Sequence, residues 1–241
     1  MSDLHHAHTP RNPLAIVLGI AAALALIVIG FVGFLGYFGG PVYRDYPVAG
    51  PATRVVYLSG DFGTNAGMAP ALIADLNAHG FPVLAVNSLA AFGTRRAPER
   101  VDAMIADTVR RGVRMAGGRA IVLIGQSFGA DMLQYGIAHL PAALQPKVAG
   151  VVLLVPGSTL LFKASPGGVL DGAPDAPAAP SARRIDWVPL TCIQGAGETH
   201  SLCPLLSGAN VRRVALPGGH FLEYDVPTIA RTLRSAIARR R

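Results

Sequence analysis

The eleven residues Ile121-Val122-Leu123-Ile124-Gly125-Gln126-Ser127-Phe128-Gly129-Ala130-Asp131 constrain the fold more than any other stretch of the chain. Four apolar residues in a row read as a fully buried strand, and the Gly-x-Ser-x-Gly that follows opens a helix running towards Leu140. A strand that reverses into a helix across one residue holds that residue in a strained backbone conformation. Glycines two before and two after it, Gly125 and Gly129, relieve the crowding. The geometry lifts the Ser127 side chain clear of the sheet. Gly and Ser are common in ordinary turns, so the pattern alone says little. Its place between a buried strand and a helix makes Ser127 a candidate nucleophile.

The rest of the chain repeats the strand-then-helix alternation. Residues 54–58 and 82–86 read as strands, with a helix over 68–79 between them that carries Ala71, Leu72, Ile73 and Leu76. A helix over 98–115 is started by Pro98 and Glu99 and ended by Gly117-Gly118. Strands over 120–124, 148–155, 190–195 and 211–216 follow, and a helix over 226–240 closes the chain with Ile229, Leu233 and Ile237 on one face. Short apolar runs without polar alternation, separated by helices, describe a mostly parallel six-stranded sheet covered by helices on both faces. Residues 157–186 break the pattern: they are rich in Ala, Pro and Gly and read as a long lid-like or irregular loop inserted after a strand.

Ahead of this domain, residues 14–38 contain no charged side chain. At about 1.5 Å per helical residue such a run spans the ~30 Å core of a bilayer with some tilt. A secretory signal has an apolar region of only ~7–15 residues and a small-residue cleavage site, so an uncleaved transmembrane anchor is expected. The expected organisation is a polar tail over 1–13, the anchor over 14–38, a Gly/Pro-punctuated linker over 39–51 and an α/β domain over 52–241. His5, His6 and His8 in the tail have metal-binding side chains but no fixed geometry, so a solvated tail is expected. Arg11 before the run and Arg44 after it leave the orientation weakly specified. A short tail inside and the domain exported is the arrangement adopted.

The chain has 21 basic and 14 acidic residues, a net charge of +7, with Lys147 and Lys163 the only lysines. An arginine-rich surface suits anionic lipid as well as nucleic acid. Without basic–aromatic interleaving or zinc-ligand spacing, a nucleic-acid partner is not expected. No metal or cofactor is expected either.

A serine hydroxyl is a poor nucleophile and needs a base within hydrogen-bond reach, itself oriented by a third group. In open parallel sheets such groups gather where loops leave the carboxyl ends of strands. The strand over 190–195 is followed by Ala196-Gly197-Glu198, and the strand over 211–216 by Pro217-Gly218-Gly219-His220. Glu198 is therefore the expected acid and His220 the expected base. His200 competes as base but shares the loop of the acid, while His79 and His139 sit late in helices. Asp225 is too near His220 to be the acid, and Asp171 and Asp175 lie in the insert. The oxyanion of a tetrahedral intermediate needs backbone donors. Phe128 N–H follows the nucleophile, and Asp61 N–H is the choice from the loop after the strand over 54–58. Asp131, in the first turn of the helix, complements its dipole.

The order Ser127, Glu198, His220 is that of the α/β-hydrolases. The stretches Ser59-Gly60-Asp61, Ser88-Leu89 with Phe92 and Arg96-Ala97-Pro98-Glu99, the Ser127 elbow, Ser201-Leu202-Cys203-Pro204, and Leu216-Pro217-Gly218-Gly219-His220 together resemble the AcvB/VirJ family of bacterial virulence proteins. The likeness runs over 54–240. It implies an exported α/β-hydrolase with Ser127, Glu198 and His220 as its triad. AcvB-type members hydrolyse lysyl- or alanyl-phosphatidylglycerol. VirJ-type members are associated with macromolecule secretion, which keeps a non-catalytic role with envelope protein partners open beside a general esterase, lipase or thioesterase. Members carry a tryptophan soon after Ser-Gly-Asp, where this chain has Phe62-Gly63-Thr64-Asn65, and its only tryptophan is Trp187. They also tend to have aspartate where His200 stands.

The resemblance implies a catalytic domain in the periplasm, tethered to the inner membrane and acting on a phospholipid at its surface. A tether raises the effective concentration of a lipid substrate, and positive charge holds the domain against anionic lipid. Export also permits Cys192 and Cys203, which flank the Glu198 loop, to form a disulfide; in a reducing compartment they are two buried thiols.

Overall fold

The computed structural model describes residues 12–50 and 52–239, so the tail histidines and the terminal Arg240-Arg241 lie outside the described residues. The first described element is helix α1 (Pro13–Leu35), where the Asn12 side chain caps the first turn by accepting from Leu14 N–H at 3.0 Å. It is the one described helix long and apolar enough to cross a membrane, and no residue of its most apolar window is buried.

The domain is built on a seven-stranded sheet, one strand more than expected. Its strands are β1 (Tyr43–Tyr46), β2 (Val55–Leu58), β3 (Val83–Val86), β4 (Ile121–Gln126), β5 (Val148–Leu154), β8 (Leu190–Gly195) and β9 (Val211–Leu216), in the order β1-β3-β2-β4-β5-β8-β9. The additional strand is β1, which lies inside the segment read as a linker. It pairs antiparallel with β3, Tyr43 opposite Val86 and Tyr46 opposite Val83, while every other pairing in this sheet is parallel. Its central Arg44 and Asp45 are exposed, as an edge strand allows.

Every residue of β2, β3, β4 and β5 is buried, because both sheet faces are covered. Val56, Leu58, Leu84, Leu123 and Leu153 pack on one face against α4 (Pro98–Met115) and α5 (Phe128–Ile137). Val55, Tyr57, Val83, Val122 and Val152 pack on the other against α2 (Ala69–Ala78) and α7 (Val226–Ala238). Full burial stabilises by roughly 1.5–3 kcal/mol for each Val, Leu or Ile, so this double layer is what holds the strand ends in fixed positions. The helix after Ser127 stops at Ile137, short of Leu140, and a short helix α3 (Ser88–Phe92), capped by the Asn87 side chain on Ala90 N–H, was not expected.

The segment 157–186 is not irregular. It contains strands β6 (Thr159–Leu160) and β7 (Ala176–Pro177), paired antiparallel, and helix α6 (Ala179–Ala182). Ala164, Ala178, Ala182 and Ile185 are buried in the core. Its small residues permit close packing against α5. Arg96 N–H donates to Phe162 O at 2.8 Å, Ala164 N–H donates to Phe92 O at 2.9 Å, and Arg95 pairs with Asp175. The Phe162 N–H, and then Arg95, hold the Asp175 carboxyl below the usual range.

The end of α1 is fixed to the domain. Leu35 is fully buried, and Gly36 caps the helix at a φ of 98°. Helix ends leave carbonyls without partners. Here Asn65 Nδ2 donates to Phe34 O at 2.6 Å and Asn87 Nδ2 donates to Leu35 O at 2.9 Å. The helix thus ends at Leu35, inside the expected span over 14–38, and of the residues that follow, Tyr37 and Val42 pack on the domain while 38–41 are exposed.

Candidate active site

Ser127, the candidate nucleophile, lies in the turn between β4 and α5. Ser127 sits at φ 51° and ψ −124°, left-handed backbone that costs a non-glycine residue on the order of 1–3 kcal/mol. Two close approaches make the turn possible. A Cβ on Gly125 would stand 2.5 Å from Ala130 Cα, and one on Gly129 would overlap the Ser59 carbonyl oxygen. Ser127 N–H donates to Leu154 O at 2.8 Å, which fixes the elbow to β5.

The loops after β8 and β9 bring the other two residues to it. Ser127 Oγ lies 2.8 Å from His220 Nε2, and His220 Nδ1 lies 2.6 Å from Glu198 Oε1. Glu198 Oε2 accepts from Gly195 N–H at 3.4 Å, and the Glu198 side chain is only 7% exposed. The two loops are joined by Gly197 N–H donating to Gly218 O at 2.9 Å. Cys192 in β8 and Cys203 form a disulfide that closes the loop carrying Glu198. His200 is not part of this chain of hydrogen bonds; its carbonyl accepts from Ser158 N–H at 2.8 Å, which ties the acid loop to the insert.

The loop after β2 runs against the nucleophile: a Cβ on Gly60 would stand 3.3 Å from Ser127 Cβ. This puts Asp61 beside Ser127, while Phe128, the first residue of α5, has an N–H that the helix leaves unpaired. Edge-to-face contact of Phe128 with Phe92, ring centroids 5.5 Å apart, fixes the start of that helix.

A cavity of about 190 Å3 opens at Ser127, lined among others by Asp61, Phe62, Gln126, Val155, His220, Phe221 and Tyr224. Phe221 and Tyr224 stack at its mouth, with rings 5.4 Å apart. They follow His220 through a run of left-handed residues, Leu222, Glu223 and Tyr224 at φ 49°, 53° and 55°. Val155, immediately after β5, is also left-handed at φ 48°. Sequence reading singled out Asp61 and His220 but not Val155, Phe221 or Tyr224. The Phe-x-x-Tyr directly after His220 and the Val-Pro-Gly that ends an apolar strand were the available signals.

Two buried carboxyls adjoin the triad. Burial, then the nearby Asp171, raises the Asp61 carboxyl to about 7, although His220 and its own backbone N–H favour the charged form. Asp131 is pushed well up by burial against the opposing Gly157 N–H, which donates to Oδ1 at 2.8 Å, and the charges of Asp61 and Glu198 add to the rise. Asp131 therefore does more than complement a helix dipole: it anchors the first residue of the insert.

Residues 52–241 match the family described as bacterial virulence protein (VirJ). The chain belongs to the VirJ family. No curated protein matches it by sequence. Among solved structures, this VirJ-family chain is similar to Est1E from Butyrivibrio proteoclasticus with ferulic acid bound, at 16% identity and a TM-score of 0.55, covering 82% of this chain and 96% of that one. The esterase domain of a Rhodothermus marinus protein is 16% identical, TM-score 0.54, covering 80% and 90%. An alpha-beta serine hydrolase homologue from Coxiella burnetii is 15% identical, TM-score 0.55, covering 79% and 88%. These likenesses show the α/β-hydrolase fold for the VirJ-family domain.

Proposed function

We propose that this VirJ-family protein is a membrane-anchored serine hydrolase of the periplasm that cleaves the aminoacyl ester of lysyl- or alanyl-phosphatidylglycerol. The observation that carries the reading is the unbroken chain Ser127 Oγ, His220, Glu198, at 2.8 and 2.6 Å, opening on a small cavity. His220 takes the proton of Ser127 as Oγ attacks the aminoacyl carbonyl. The developing oxyanion is held by the N–H groups of Phe128 and Asp61. Glu198 keeps Nδ1 protonated and supports the imidazolium. His220 then returns the proton to the glycerol oxygen of the departing phosphatidylglycerol, and water, deprotonated by the same imidazole, releases the amino acid and restores Ser127.

The cavity supports a short acyl group. At about 190 Å3 it is smaller than the ~300–1,000 Å3 of sites that enclose drug-sized ligands. A fatty acyl chain has no comparable space, so the lipase alternative is disfavoured. The helix α1 supports the location: it is uncharged, its most apolar window is unburied, and its docked end contacts Asn65, four residues after Asp61.

The test is release of free amino acid from aminoacyl-phosphatidylglycerol vesicles by the full-length protein. Ser127→Ala is expected to lower turnover by at least about 10^4-fold with an unchanged melting temperature. Unaltered release by this variant removes Ser127 from the reaction, and release of fatty acid in place of amino acid reassigns the substrate bond.

A further inference from the structure

The cavity at Ser127 is lined by an acidic side chain and by no lysine or arginine, whereas the protein as a whole is basic, with a net charge of +7. Asp61 lines it, with Asp131 and Glu198 close enough that their charges oppose one another. A site of this kind repels an acyl group bearing carboxylate or phosphate and favours a cation.

Asp61 has a further property. Its Oδ1 is buried and has no hydrogen-bond partner among the described residues. A buried carboxylate oxygen without a donor is costly, and a native structure keeps one where a ligand supplies the donor. The surrounding backbone holds the residue in place. Gly60 is packed on Ser127, and Gly167 N–H donates to Asp61 O at 3.5 Å, bringing the insert turn onto the same loop. Asp171 follows in that turn, with Ser165 Oγ donating to its Oδ1 at 2.6 Å. Among the described residues, no arginine or lysine forms an ion pair with either carboxylate.

We propose that the Asp61 carboxylate, backed by Asp171, receives an ammonium carried on the acyl group at the atom next to the ester carbonyl. The inference rests on the serine-esterase reading and names what that site selects. The position follows from covalent connectivity. Asp61 follows Gly60, which is packed on Ser127, so its side chain lies near atoms adjoining the carbonyl carbon and not near the far end of a long side chain. An α-ammonium has three donors, one of which satisfies Oδ1, and its charge favours ionised Asp61. An acyl group without the ammonium leaves Oδ1 unpaired. Both alanyl and lysyl esters carry this group, so the pocket accepts either and discriminates against simple acyl esters.

The experiment uses full-length protein in detergent micelles and two soluble esters of one alcohol, alanyl-glycerol and propanoyl-glycerol, followed by glycerol release. The wild-type protein is expected to favour the alanyl ester in kcat/KM by at least about tenfold, as a hydrogen bond to a charged group implies. In Asp61→Asn this ratio falls close to one, and Asp61→Glu restores part of it. A purely structural role lowers both esters together and keeps the ratio, which would overturn the assignment. Equal wild-type turnover of the two esters, lost in Ser127→Ala, also overturns it and leaves the esterase standing. Turnover of neither overturns both readings. Should Asp61→Asn fail to fold, alaninamide must inhibit wild-type turnover of propanoyl-glycerol at a concentration at least about tenfold lower than propanamide; equal inhibition rejects the ammonium site.

Discussion

The two loops that complete the proposed triad are held in different ways. The loop after β8 presents a nearly buried Glu198 and is closed by the disulfide between Cys192 and Cys203. The loop after β9 presents His220, whose side chain is 39% exposed, and no covalent link holds it. Its shape comes from the left-handed run 222–224 and from Gly218 O accepting the Gly197 N–H. The acid is therefore a fixed reference and the base is the member placed against it. Such a division suits the chemistry, because the imidazole must face Ser127 and the leaving oxygen in turn, while the carboxylate needs only to hold Nδ1.

If the acid is the reference, removing its charge without its shape has the largest effect. Glu198→Gln keeps the volume but presents an amide to His220 Nδ1, which favours the wrong tautomer and leaves the imidazolium uncompensated. A loss of about 10^3–10^4-fold in kcat is expected, with KM little altered. A loss below tenfold would move the orienting role to another carboxylate, and Asp131, buried nearby, is the one to substitute next.

The contrast between the loops was only partly legible in the sequence. The candidate positions could be read because Ser127 directly follows β4, wholly buried between two covered sheet faces, while Glu198 and His220 stand three and four residues after the ends of β8 and β9; β9 itself, with Arg212 and Arg213 exposed, is an edge strand. The same logic failed for β1. Tyr43-Arg44-Asp45-Tyr46 places two charges in the middle of a strand, which is acceptable only at an edge, and edges are decided by tertiary pairing. Residues 157–186 misled for a related reason. Alanine, proline and glycine suggest an irregular loop, but Ala164, Ala178 and Ala182 are small because they are buried, and burial is invisible in composition. The docking of α1 depends on Asn65 and Asn87, whose partners are Phe34 O and Leu35 O, remote in sequence. The orphaned carboxylate of Asp61 was unreadable too: the motif Ser-Gly-Asp pointed to its backbone N–H, while the charge beside it arrives from Asp171 in the insert.

A smaller effect is expected from opening the acid loop. The disulfide spans a sequence separation of 11, and closing a loop of that size in the unfolded chain stabilises by about 3 kcal/mol. Cys192→Ala with Cys203→Ala should lower the melting temperature by about 6–12 °C for a domain of this size. Turnover should fall less than in Glu198→Gln, because the hydrogen bonds of Gly195 N–H to Glu198 and Gly197 N–H to Gly218 remain. A collapse in kcat equal to that of Glu198→Gln would show the disulfide to be the sole support of the acid.

The smallest effect concerns the base loop, where stability is stored in backbone conformation. Glu223 is exposed and left-handed at φ 53°. A side chain in that region costs roughly 1–2 kcal/mol, which glycine avoids, although glycine gives back about 0.5–1 kcal/mol through the freedom of the unfolded chain. The balance favours Glu223→Gly by up to about 1 kcal/mol, a rise of ~1–4 °C in melting temperature. The same exchange on the acid loop has no counterpart, since none of its residues, glycine included, has a positive φ. A lowered melting temperature for Glu223→Gly would mean that the Glu223 side chain, which packs against Gly218, contributes more than its backbone costs. The base loop would then be held by side-chain contact, as the acid loop is held by its disulfide, and the difference between the two would be one of degree.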